Sequence, residues 1–153
     1  MSVRLSAISS VTPDLVTTAQ LVVETPGEGF TDITREAARF VTDSKAGDGL
    51  LLLFLRHTSA SLTVQENADP DVQTDLVTAL RRLAPQDGPW VHTVEGPDDM
   101  PGHIRAMLTG VSLHVPVKGG AVVGQVVETF AAGFEMEVVT VPAADGVVDG
   151  AAW

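Results

Sequence analysis

Histidines and carboxylates are the side chains in this sequence best placed to do chemistry. His57 ends the apolar run Leu50-Leu51-Leu52-Leu53-Phe54-Leu55 beside Thr58 and Ser59, His92 follows the turn Gln86-Asp87-Gly88-Pro89, and His103 opens a helical segment just after Asp98 and Asp99. Ends of strands and starts of helices are where a rigid scaffold brings groups from distant segments to one point. A shared site for these three is one reading, and histidines satisfied within the fold are the other. The four histidines follow at intervals of 35, 11 and 11 residues, so no short metal signature such as H-E-x-x-H is present. His114, between Leu113 and Val115, reads as an outward strand residue.

A second concentration of polar groups lies at one strand-to-helix junction, where Glu66, Asn67, Asp69, Asp71 and Asp75 crowd together. The positive end of a helix accounts for Asp69 and Asp71 without any ligand. Asp75 differs, since it falls at the edge of the apolar stripe, where a half-buried carboxylate needs a partner such as a histidine or a metal ion. Asp98 and Asp99 are either helix caps or cation ligands near His103, with a cap role expected for one of them. Because the chain has no cysteine, thiolate metal sites, disulfides and cysteine nucleophiles are excluded. Any metal is held by His, Asp, Glu or carbonyl oxygen.

Several regular elements must position these groups. Leu21-Val22-Val23 reads as a strand, stopped by Thr25-Pro26-Gly27-Glu28-Gly29. A short helix follows, with Asp32 or Thr34 as its cap and Ile33, Ala37, Phe40 and Val41 on one side, broken by Gly47-Asp48-Gly49. Leu50 to Leu55 is too short for a typical helix and reads as a strand buried on both faces, while Ser61 to Gln65 alternates as a half-buried strand does. Asp69 as cap, Pro70 in the first turn, and Val72, Leu76, Leu80 and Leu83 on one stripe predict a helix stopped by Pro85. Trp90 to Val94 reads as a short strand, and Met100, Ile104, Met107 and Leu108 form the stripe of a second helix closed by Gly110. The last third is β-rich, with Ser112 to Val117, a turn at Lys118-Gly119-Gly120, Ala121 to Phe130, and Phe134 to Val141; residues 143–153 read as a loose tail.

Composition narrows the functional classes. Nine Lys+Arg against twenty Asp+Glu give a net charge of −11, which argues against nucleic-acid binding, a process that depends on clustered positive charge. The 153 residues, 44% of them apolar, suit one folded domain. No apolar run approaches the ~20 residues needed to span a bilayer, and the start Met1-Ser2-Val3-Arg4-Leu5 lacks the apolar segment of a signal peptide. A cytoplasmic protein without a membrane partner is the expectation.

Three blocks resemble a known family. HTSASLTVQENADPDVQTDL (57–76), HTVEGPDDMPGHI (92–104) and SLHVPVKGGAVVG (112–124) are similar to the signature blocks of the YjbQ family, also called the secondary thiamine-phosphate synthase enzyme family. The likeness runs from Gly29-Phe30-Thr31-Asp32-Ile33-Thr34 to Val141. It implies an α+β fold with an antiparallel β-sandwich and a few flanking helices, a homotrimer, and a divalent-metal site, zinc or magnesium, built on His57, His92 and His103. A mean hydropathy of +0.22 leaves apolar surface for such an assembly. Glu66, Asn67, Asp75, Asp98 and Asp99 fall on family positions, whereas His114 does not.

The resemblance also implies weak thiamine-phosphate synthesis, in which a thiazole nitrogen attacks a pyrimidine methyl carbon as pyrophosphate leaves. That reaction needs charge neutralisation at a diphosphate. Arg56 beside His57, Arg105 just after His103, and Lys118 are the candidates for it. Two alternatives stand beside this reading. One is a metal-assisted hydrolase or transferase on a small phosphorylated substrate, with Glu66 or Asp75 as base; the other is a non-catalytic metal- or ligand-binding trimer. The third block departs from the family, because Gln125-Val126-Val127 follows Gly124 where T-W-Q is usual, and Gly133-Phe134-Glu135 replaces a triplet ending in Arg. The missing Trp and Arg are groups suited to stacking on a ring and pairing with a phosphate.

Overall fold

A computed structural model describes residues 16–25, 27–57, 60–65, 69–124, 126–129 and 134–142, the last two ranges as backbone. It has an α+β architecture of two antiparallel sheets and three helices. Strands β1 (Thr17–Val23), β3 (Gly49–Leu55), β5 (Ser112–Lys118), β6 (Ala121–Val122) and β8 (Phe134–Pro142) form one sheet in the order β1-β8-β3-β5-β6. The second sheet, in the order β2-β7-β4, is made by β2 (Phe30–Asp32), β7 (Val126–Thr129) and β4 (Ser61–Val64). Both sheets contribute side chains to one apolar core.

That core is built on β3. Leu51, Leu53 and Leu55 are no more than 1% exposed and pack with Val115 and Val117 of β5, Leu62 of β4 and Ile33. Each such side chain contributes about 1.5 to 3 kcal/mol by leaving water. The expectation that the run is buried on both faces is corrected, since Leu50 and Phe54 are 38% and 45% exposed. Alternation along a strand sends every second side chain outward, and β8 and β5 flank β3 edge to edge without capping that outer face.

Helix α1 (Thr34–Asp43) starts where Asp32 Oδ1 accepts a hydrogen bond from the Thr34 amide at 2.9 Å, and it packs Ala37 and Val41 into the core. Helix α2 (Pro70–Leu83) begins as its sequence predicts, with Asp69 Oδ1 accepting from the Asp71 amide at 2.9 Å. Its stripe is less buried than expected, because only Leu80 is buried while Val72 and Leu83 are 40% and 62% exposed. In α3 (Asp99–Thr109) the buried residues are Pro101, Gly102 and Arg105, and Met107 and Leu108 of the expected stripe lie 86% and 54% exposed. Periodicity marks which side of a helix is apolar; what covers that side is a tertiary matter.

Two further expectations are revised. Residues 90–94 form no strand but part of an irregular link between α2 and α3, where Trp90 Nε1 donates to the Pro85 carbonyl at 2.8 Å. The segment expected as one strand from Ala121 splits at Gly124, whose φ of +104° suits glycine, so that β6 stays in the first sheet and β7 enters the second. Phe130 and the tail 143–153 lie outside the described residues. The hairpin at Gly119 and Gly120 has φ values of 57° and 77°, as a tight primed turn requires. Asp48 ties it down by accepting from the Gly119 amide at 2.6 Å and pairing with Lys118 at 2.8 Å, contacts that hold its carboxyl below the usual aspartate range. Among the described residues no helix is long and apolar enough to cross a membrane.

Candidate metal centre

The α2–α3 link and the first turns of α3 bring together part of the expected site. Asp98 takes the N-cap position of α3 without a side-chain cap hydrogen bond, which leaves Asp99 and His103 four residues apart on one helix face. Asp99 Oδ2 lies 3.2 Å from His103 Nε2 and 2.9 Å from His92 Nε2, so one carboxylate oxygen joins the loop histidine to the helix histidine. The two imidazoles meet edge to face with centroids 5.9 Å apart. One ligand atom from each of His92, Asp99 and His103 lies within 4.8 Å of the other two. Glu95 adds a second carboxylate at 3.1 Å from His92 Nε2.

Local structure explains this convergence. The link turns back at Gly96, whose φ of +120° lies in a region unfavourable to residues with a Cβ. A Cβ there would also stand 3.0 Å from Asp98 Oδ1. The side chains remain reachable from solvent, with Asp99 20%, His103 36%, His92 43% and Glu95 66% exposed. Two imidazoles and a carboxylate are borderline donors that suit zinc-like divalent ions better than magnesium, which prefers an oxygen octahedron. This donor set, with Asp99 in place of the expected His57, could hold a divalent ion of that kind.

Among the described residues, His57, Arg56 and Asp75 are not part of this group. His57 and Arg56 are exposed just past the end of β3, and His57 is not a member of the three-residue cluster. Asp75 is exposed on α2, not half-buried as its place beside the stripe implies. Glu66 falls outside the described residues, as do Asn67, Gln125 and Gly133. His114 is exposed on β5, as read from the sequence.

Arg105 points into a different environment. It is 5% exposed, pairs with Glu28 at 3.2 Å and donates to the Ala84 carbonyl at 3.3 Å. Glu28 also takes two hydrogen bonds from Arg81, at 2.9 and 2.8 Å. Burial holds the Arg105 guanidinium below its usual pKa, an effect that Glu28 opposes only in part. These residues line a cavity of about 310 Å³ together with Pro85, Gln86 and Asp87. Sequence reading passed over Glu95 and Glu28. For Glu95 a signal exists, since His92, Glu95, Asp99 and His103 follow one another at steps of three, four and four residues.

Comparisons with known proteins agree with this architecture. Residues 19–135 match the family model described as UPF0047 protein YjbQ-like. The chain is 46% identical over 101 residues to UPF0047 protein sll1880 of Synechocystis sp., covering 65% of this chain and 69% of that protein. It is 41% identical over 103 residues to UPF0047 protein YjbQ of Escherichia coli O157:H7, covering 67% and 75%. Among solved structures, the conserved hypothetical protein TT1486 of Thermus thermophilus superposes with a TM-score of 0.70 at 36% identity, covering 79% of this chain and 97% of that one. A YbjQ-like protein of unknown function from Sulfolobus solfataricus P2 reaches a TM-score of 0.76 at 20% identity, covering 82% and 96%, a likeness of fold alone. With more than half its length matched by the family model, the chain belongs to the UPF0047 YjbQ-like family.

Proposed function

We propose that this protein binds one divalent transition-metal ion per chain through His92, Asp99 and His103 and uses it to act on a small phosphorylated substrate, as a metal-assisted hydrolase or transferase. The observation that carries this reading is the mutual approach of three ligand atoms within 4.8 Å. A metal ion supplies charge stabilisation at a phosphoryl or diphosphate oxygen. Asp99 holds the two imidazoles toward each other, and the exposure of His92 and His103 leaves an approach for substrate. In the proposed homotrimer the exposed His57 and Arg56 are candidates to join the centre across a subunit boundary.

Thiamine-phosphate synthesis has less support within this reading. Arg105 is engaged with Glu28 and Lys118 with Asp48, so these cations expected at a diphosphate have partners elsewhere. Metal analysis of the purified protein, followed by zinc titration of the native chain and of Asp99→Asn and His103→Ala, tests the proposal. One tightly held ion in the native chain and a loss of at least tenfold in affinity in either variant are expected. Native protein that takes up no zinc, manganese or cobalt would refute it.

A further inference from the structure

We propose that Glu95 is a fourth ligand of this centre, closing the site at rest; the inference builds on the three-residue reading above and names a donor outside it. A carboxylate that merely orients a metal-bound histidine accepts from the ring nitrogen that faces away from the ion. Glu95 does the opposite. Its Oε2 lies 3.1 Å from His92 Nε2, the same nitrogen that faces Asp99 Oδ2 at 2.9 Å. Glu95 therefore stands on the side of the imidazole where an ion shared with Asp99 and His103 would lie.

Distances support the same assignment. A tetrahedral ion with bonds of about 2.0 to 2.1 Å sets neighbouring ligand atoms about 3.3 Å apart. Three contacts in the structure, 3.1 Å for His92–Glu95, 2.9 Å for His92–Asp99 and 3.2 Å for His103–Asp99, are close to three of the six edges of such a site. Electrostatics adds an independent reason. Two carboxylates converge on one ring nitrogen, which can donate only one proton, and a dication in their midst would neutralise both. Glu95 lies outside the group whose ligand atoms approach within 4.8 Å, so ligation requires its 66% exposed side chain to swing toward Asp99 and His103, and the same freedom lets it swing away when a substrate oxygen takes its place.

The test uses the full chain titrated with zinc by calorimetry and with cobalt(II) by visible absorption. Glu95→Ala is expected to weaken zinc binding on the order of 10- to 100-fold and to change the cobalt spectrum, with an unaltered melting temperature for the metal-free protein. Because the side chain is exposed, its loss leaves the fold in place. A Glu95→Ala protein that binds zinc within twofold of native, while Asp99→Asn loses it, would overturn the Glu95 assignment and leave the three-residue centre standing. Native protein that binds neither ion would overturn both.

Discussion

Asp99 and Glu28 are two carboxylates that each engage two basic side chains, and they do different work. Asp99 gathers two histidines at the surface, whereas Glu28 serves as counter-ion to a buried guanidinium. Removing one partner of a buried pair leaves an uncompensated charge. Glu28 is a quarter exposed, so Glu28→Gln is expected to cost roughly 2 kcal/mol, below the range for a fully buried pair. The check is a lower urea midpoint with an unchanged slope. Converting Arg105 to Met in that background should recover much of the loss, since the unpaired charge is then gone. Recovery would mark the arginine as structural; no recovery, together with loss of substrate turnover in Arg105→Met alone, would return it to the candidate site.

At the scale of elements, the α2–α3 link decides whether the donors meet. Gly96 sits at a φ of +120°, where a side chain costs on the order of 1 to 3 kcal/mol. Gly96→Ala should therefore lower the melting temperature and also weaken zinc binding, because Glu95 and Asp99 flank the turn. Gly29→Ala, at an ordinary backbone angle with open space around the added methyl, is the control expected to change neither. Equal zinc affinity in Gly96→Ala and native protein would show that the turn does not position the centre. The helices themselves were legible in advance: Asp69 and Pro70 announced α2, and Gly110 closed α3 as expected. The link was not, because the β-branched and aromatic residues of Trp90 to Val94 favour a strand, while the Trp90 bond to Pro85 and the approach of Asp99 to His92 are contacts that local composition does not encode.

For the whole molecule, the unexplained feature is apolar surface. Leu50 and Phe54 on the outer face of β3, Met107 and Leu108 on α3, and Val91 and Val94 beside His92 are all exposed, the two valines at 98% and 91%. Large exposed apolar surfaces on soluble domains mark interaction sites. A homotrimer burying them would account for their exposure, and light scattering should then give about three times the chain mass of 16.0 kDa. Phe54→Asp should shift the mass toward that of the single chain if the β3 face takes part. A native mass of one chain would remove the assembly from the functional reading.

By itself the sequence determined the α+β class, the family and the Asp69 cap of α2, because these follow from local patterns: helical period, capping chemistry and long gapless blocks. It also placed His57, His92 and His103 at element ends as candidates for a shared site, and left Asp98 and Asp99 as either caps or cation ligands near His103. Tertiary structure decided which of the candidates meet. His57 and His103 looked alike as residues at element ends, yet only the return of the chain at Gly96 sets His92 against Asp99 and His103, while Arg105, two positions along the same helix, turns inward to Glu28. Successive residues of a helix point about 100° apart, so neighbours in sequence can serve opposite faces. Contacts between distant segments depend on that geometry and leave no mark in local composition.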